Sequence, residues 1–276
     1  MAAFSGTRVS YIKNNNLKPF NSLLGETYEL VTGKYRLIAE QVSHHPPVTA
    51  YHCESNYYEI YSCQCNTGRF NGRYISLIST NRNYINLKLP NGELEQYSWT
   101  VPNCAIHNLV IGKLYVEMRG KSQIFNHTTG DVCDIEWKER GWSGKPDRLT
   151  GIVKSTAGES MYRMQGTFTE VMSICDLTDP NAQEEEVFRM NPKSPNYESM
   201  YYFSDFVLQV NYVTPELKER LPPTDTRLRP DQRALENGET ETAIKEKHRL
   251  EENQRARRKQ FEKSGTEHVP VYFAQE

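Results

Sequence analysis

The chain has 276 residues, with 33 Lys and Arg against 35 Asp and Glu, a formal net charge of −2. A chain of this length buries roughly three quarters of its unfolded surface, so a sizeable core forms without disulfides. Near-neutral charge excludes a general nucleic-acid binder, which needs a basic excess for phosphate contacts, and no apolar run is long enough for a transmembrane helix. The first residues carry no apolar stretch of a secretory signal, and the six cysteines do not read as a disulfide scaffold. The composition predicts a cytosolic globular chain.

From Tyr28 to about Thr169 the sequence reads as strands. Residues 57–63, 73–78 and 84–89 are rich in aromatic and β-branched side chains. The last two alternate apolar with polar, the period of a sheet with one wet face. Asn71-Gly72, Pro90-Asn91-Gly92 and Thr129-Gly130 supply the positive φ angles that tight turns need. Further strands are predicted over 94–101, 113–118, 132–137, 149–154 and 161–168. Many short strands with turns between them predict an antiparallel barrel or sandwich.

After Asp176 the composition changes. Residues 184–186 and 191–195 read as loop or linker, and 203–208 as one more strand. Beyond Leu221-Pro222-Pro223 the pattern is helical. Pro230 suits the first turn of a short helix over 231–236 that Gly238 ends. From Thr240 to about Lys263 there is no Pro or Gly, and Glu241 with Lys245 gives i,i+4 pairing. That stretch predicts one helix of about 36 Å.

Residues 40–47, Glu-Gln-Val-Ser-His-His-Pro-Pro, are the most unusual segment. Adjacent histidines on a regular strand point to opposite faces. The two prolines fix φ and remove donors, so the strand should stop or turn here. The turn either aims both imidazoles at one ligand or leaves an ordinary strand end with exposed histidines. His44, His45, His52, Cys53, Cys63 and Cys65 offer metal donors, but without the spacing of a known zinc site. No nucleophile elbow or Gly-rich phosphate loop is present, and Glu26 and Glu40 read as solvated rim charges or partners of basic residues rather than an acid/base pair. On the long helix Lys247, Glu251 and Arg255 fall at i, i+4, i+8 and form one polar stripe. It is either a ladder of surface ion pairs or two cations spaced by a carboxylate, which suits a phosphorylated polyol. Arg257-Arg258-Lys259 extends its basic end. Lys18 and Asn21 flank a proline turn that says little alone.

Together these segments resemble the ligand-binding domain of the oxysterol-binding-protein-related (Osh-type) lipid transfer proteins. The resemblance rests on the intact string at 40–47, on Lys18-Pro19-Phe20-Asn21 with Leu24-Gly25-Glu26-Thr27, and on Leu221-Pro222-Pro223-Thr224-Asp225 with Arg229-Pro230-Asp231. It implies a mostly β fold with α: a large, nearly closed antiparallel β-barrel around a lipid tunnel, with a C-terminal helical region. The whole of 1–276 would be a single ligand-binding domain, with 1–25 leading in, 26–213 as barrel body and 214–276 as helical region. Its function would be non-enzymatic: binding phosphatidylinositol 4-phosphate and exchanging it for a sterol or phosphatidylserine between membranes, with no cofactor, metal or nucleic acid. Carried over by position, Lys18, Asn21, His44, His45, Lys247, Glu251 and Arg255 would form the headgroup site. His44, His45 and Arg255 would take the 4-phosphate, Lys18 and Lys247 the remaining phosphate charge, and Asn21 and Glu251 the polar groups. The expected place is cytoplasmic, peripheral at organelle membranes or contact sites, with transient contact to an anionic membrane surface. Ser22 stands where the family has a second proline. The family's lysine segment normally follows a lid and an N-terminal helical subdomain, whereas seventeen residues precede Lys18 here. The alternative function is therefore a lidless phosphoinositide sensor or scaffold without net transfer.

Overall fold

The structure, a computed structural model, describes residues 1–7, 20–112, 114–141, 147–200 and 202–273. The chain divides into two units, Met1–Lys18 with Tyr57–Ser204, and Pro19–Asn56 with Asp205–Glu276. The second unit begins as a three-stranded antiparallel meander of β1 (Thr27–Val31), β2 (Tyr35–His44) and β3 (Pro47–Ser55). Gln41 faces Thr49 while Ser43 faces Val48, so Val42 is the extra residue of a β-bulge. The Gln41 side chain braces it, donating to the Ser43 carbonyl at 2.7 Å and accepting from Thr49 Oγ1 at 2.6 Å. The prolines act as the sequence predicts: β2 stops at His44, and His45 and Pro46 form the turn into β3.

The first unit is antiparallel β. Along the chain it contains β4 (Tyr58–Phe70), β5 (Tyr74–Ser79), β6 (Arg82–Lys88), β7 (Leu94–Thr100), β8 (Asn103–His107) and β9 (Tyr115–Asn126). They are followed by β10 (Val132–Trp137), β11 (Arg148–Lys154), β12 (Ser160–Thr167), β13 (Val171–Asp176) and β14 (Glu185–Arg189). β4 is long enough to serve two neighbours, β6 through residues 58–62 and β5 through 66–70. β9 does the same, pairing with β8 through 115–119 and with β7 through 124–126. With β5 on β8 and β6 on β7, the sheet forks at β4 and rejoins at β9. From β9 it continues in sequence order to β14. Gly72, Gly92 and Gly130 hold φ of 78°, 87° and 83°, as their turns require. Gly166 on β12 is obligatory for space, since a Cβ there would lie 2.3 Å from the Val171 carbonyl oxygen.

The core of this unit gathers Val116, Met118, Ile135, Trp137, Leu149, Phe168 and Met172, with Ala2 of the short helix α1 (Ala2–Thr7). Trp137 meets Phe168 edge to face at 5.2 Å, and its indole N–H donates to Ser122 Oγ at 2.7 Å. Burial therefore leaves no orphan donor on that ring. Each large apolar side chain withdrawn from water here contributes roughly 1.5–3 kcal/mol.

The second unit ends in helices α2 (Asp205–Asn211), α3 (Pro215–Arg220), α4 (Pro230–Glu236) and α5 (Thr240–Ser264). Thr214 caps α3 by accepting from Leu217 N at 3.1 Å, Pro230 opens α4, and Gly265 at φ 65° ends α5. The architecture is the predicted one, mostly antiparallel β with a C-terminal helical region. Two segments differ. Residues 203–208 are not a strand, because α2 starts at Asp205, whose carboxylate suits a helix N-terminus. The helical part thus begins before 214. Residues 184–186 are not all loop, because Glu185 and Glu186 belong to β14, last in the strand order and largely solvent-exposed. Charged side chains are what such an edge tolerates.

Candidate functional site

Two elements of the second unit meet at the site: the turn between β2 and β3, and the middle of α5. The rings of His44 and His45 stand edge to face with centroids 4.6 Å apart. The turn, rather than a continuous strand, keeps the two imidazoles together. His44 Nε2 lies 2.8 Å from the side-chain amide nitrogen of Gln254 on α5. The amide oxygen of Gln254 in turn accepts from Leu24 N at 2.8 Å. The other ring nitrogen of His44, Nδ1, is shielded from solvent and has no hydrogen-bond partner among the described residues. Burial lowers the pKa of His44 below its ordinary value, and the charges of His45 and Arg258 push the same way.

Along α5, Lys247 Nζ meets Glu251 Oε1 at 2.8 Å and Arg255 Nη2 meets Glu251 Oε2 at 3.4 Å. A hydrogen bond from Lys247 holds the Glu251 carboxyl below the usual carboxylate range. Lys247 also places its ammonium 5.9 Å from the centre of the Phe20 ring. Arg255 is 66% exposed, so little of its charge is committed to the fold. Exposed pairs of this kind contribute about 0–1 kcal/mol. Lys247→Ala and Arg255→Ala should each shift urea-denaturation stability by less than about 1 kcal/mol. A larger loss would make the stripe a folding element.

Gln254 links α5 to the histidine turn, and the i, i+4, i+8 stripe passes over it. Its signal was available, since a spacing of seven returns to within about 20° of the Lys247 face. Lys18 lies outside the described residues. Asn21 is exposed, and its carbonyl accepts from Arg229 Nη1 at 2.8 Å.

Arg229 anchors the segment that leads into β1. Its Nε and Nη2 fork onto Asp231 at 3.0 and 2.6 Å, and Nη1 reaches Glu26 Oε2 at 2.8 Å. Asp231 is fully buried, and Arg229 and Glu26 are 7% exposed. Glu26 also accepts from Leu23 N at 2.7 Å, so one buried cluster fixes the backbone from Asn21 to Glu26. Gly25 completes that segment at φ 79°. Its N–H donates to the Gln41 carbonyl at 2.9 Å, and a Cβ would press on His268 at 3.0 Å. Glu26 is thus the partner of a basic residue, as one reading of the sequence held. Glu40 is not a solvated rim charge. It is 1% exposed and accepts from the backbone of Val271 at 2.9 Å and Tyr272 at 2.9 Å, clasping the chain beyond α5. The Tyr272 hydroxyl donates to Glu29 alongside.

The family model described as oxysterol-binding protein matches residues 1–276. The chain belongs to that family. Among its relatives, oxysterol-binding protein-related protein 1 of Homo sapiens is 35% identical over 319 residues, covering 100% of this chain and 33% of the relative. Oxysterol-binding protein homolog 1 of Saccharomyces cerevisiae is 34% identical, covering 100% and 25%. The chain therefore spans about a third or less of these relatives. Among solved structures, the Osh1 ORD domain in complex with cholesterol superposes with a TM-score of 0.89 at 32% identity, over 100% of this chain and 69% of that one. The Osh3 ORD from Saccharomyces cerevisiae in complex with PI(4)P gives 0.83 at 30% identity, over 99% and 72%. The strand-then-helix order is thus that of the ORD fold. No described helix is long and apolar enough to cross a membrane.

Proposed function

We propose that this chain is a non-enzymatic lipid-binding and transfer module that takes a phosphatidylinositol 4-phosphate headgroup at Lys18, Asn21, His44, His45, Lys247, Glu251 and Arg255 and exchanges that lipid for a sterol. Phosphatidylserine is the other candidate second lipid. The observation that carries the reading is the two-imidazole turn held by Gln254 to α5, the helix that carries Lys247, Glu251 and Arg255, in a family with a PI(4)P-bound and a cholesterol-bound member. A multiply charged headgroup leaves water only where several donors replace its hydration. His44, His45 and Arg255 supply them to the 4-phosphate, and Lys18 and Lys247 neutralise the remaining charge. Glu251 and Asn21 accept from and donate to hydroxyls. Arg257, Arg258 and Lys259 favour transient contact with an anionic membrane surface. Such a protein works in the cytoplasm, peripheral to organelle membranes or their contact sites.

The test is transfer of phosphatidylinositol 4-phosphate between two liposome populations, beside His44→Ala/His45→Ala. Each hydrogen bond to a charged group contributes about 1.5–3 kcal/mol, so the double variant should lose roughly a hundredfold or more in extraction while staying folded. Normal extraction by the folded double variant sinks the assignment. Headgroup-dependent liposome binding without transfer by the wild type makes the protein a sensor or scaffold instead.

A further inference from the structure

We propose that Gln254 is a positioning residue: it fixes the His44 proton on Nδ1 and thereby makes the unpartnered side of that ring a donor for the headgroup phosphate. The ligand half of this proposal rests on the phosphate-binding reading of the site. The tautomer half rests on donors and acceptors alone. The backbone N–H of Leu24 can only donate, so the Gln254 atom 2.8 Å from it is the amide oxygen. The other amide atom is then the NH2 group, which also can only donate, and it lies 2.8 Å from His44 Nε2. That ring nitrogen must accept. A neutral imidazole that accepts at Nε2 carries its proton on Nδ1.

Nδ1 is shielded from solvent and unpartnered among the described residues. A buried N–H without an acceptor is costly, and such groups are rare unless something later satisfies them. A phosphate oxygen arriving beside exposed His45 would do so once a side-chain shift uncovers Nδ1, which water does not reach in the ligand-free chain. Gln254 also opposes protonation of His44, because an imidazolium would set two donors face to face. Among the described residues, the charged and titratable groups whose fields reach the ring are His45 on the same turn and Arg258 on α5, and both act in the same direction, behind burial. A division of labour follows. His44 gives direction as a neutral donor, while Lys247 and Arg255 meet the ligand's charge.

The experiment is histidine nitrogen NMR on the ligand-free chain across pH, for the wild type, Gln254→Met and Gln254→Glu. The wild type should show His44 as the Nδ1–H tautomer, titrating below its ordinary value of about 6.5. Gln254→Met, similar in length but lacking the donor, should mix the tautomers and raise the titration point. Gln254→Glu, whose carboxylate accepts from both Leu24 N–H and an imidazolium, should raise it above the ordinary value. An Nε2–H tautomer in the wild type, or titration unchanged in both variants, overturns the proposal. Calorimetry with the water-soluble glycerophosphoinositol 4-phosphate tests the ligand half. At a pH well above the titration point of every variant, where His44 is neutral, a fall of the competent tautomer to roughly one molecule in five should make Gln254→Met bind about fivefold more weakly, and equal affinity overturns it. A wild type that binds no headgroup at all sinks the site reading, while the NMR result still decides whether Gln254 holds the tautomer.

Discussion

Arg229→Leu should destabilise the protein by about 3–5 kcal/mol. The substitution fills the space with an apolar side chain but leaves two carboxylates without their cation. Asp231 is fully buried and Glu26 is 7% exposed, so neither regains water without local opening. Breaking one side of a buried ionic cluster costs more than the cluster's net worth, because the desolvation of the remaining charges is no longer offset. Arg229→Lys keeps the charge but not the fork that meets both oxygens of Asp231, and should cost about 1–3 kcal/mol. Urea midpoints at unchanged slope measure both. A leucine variant within about 1 kcal/mol of the wild type would mean that the cluster is hydrated in solution. The same variant should loosen the segment from Asn21 to Glu26, whose backbone the cluster holds.

Glu40→Ala should release the chain beyond α5. The Glu40 carboxylate accepts from Val271 N and Tyr272 N, and each donor left unpaired away from water costs roughly 1–3 kcal/mol. Amide hydrogen exchange at Val271 and Tyr272 should accelerate by about tenfold to a hundredfold, while amides in the β9 to β11 core keep their protection. Glu40→Gln tests the chemistry more finely. One amide oxygen can replace one carboxylate oxygen, but the NH2 group would face a donor, so partial loss is expected. Unchanged exchange in the alanine variant would show that the Tyr272 hydroxyl on Glu29 is the fastening that matters.

Neither Arg229 nor Glu40 could be given its role from sequence, and the reason is distance along the chain. Strands, turns and α5 are local: period-two alternation, a glycine at positive φ and an uninterrupted 25-residue helix each declare themselves within a short window. The turn at His45 and Pro46 was legible for the same reason, since proline chemistry acts on adjacent bonds. Arg229 meets Glu26 across 203 positions, Leu24 meets Gln254 across 230 and Glu40 meets Val271 across 231. No periodicity spans such gaps. The misread segments follow the same logic. Phe206-Val207-Leu208 is a short apolar run that suits strand and helix equally, and the glutamates of β14 look like a linker because that strand is largely solvent-exposed.

The bulge at Val42 has a consequence for how the string at 40–47 tolerates change. Side chains alternate faces along a strand, so one added residue exchanges the faces of everything beyond it. Glu40 is spent on the chain after α5, while His44, past the bulge, is spent on α5 itself. Deleting Val42 would keep every functional letter of the string and turn the histidine end of β2 by half a strand period against its Glu40 end. Length within this string is therefore as much a part of the site as composition. Insertions and deletions there should be harsher than most of its substitutions.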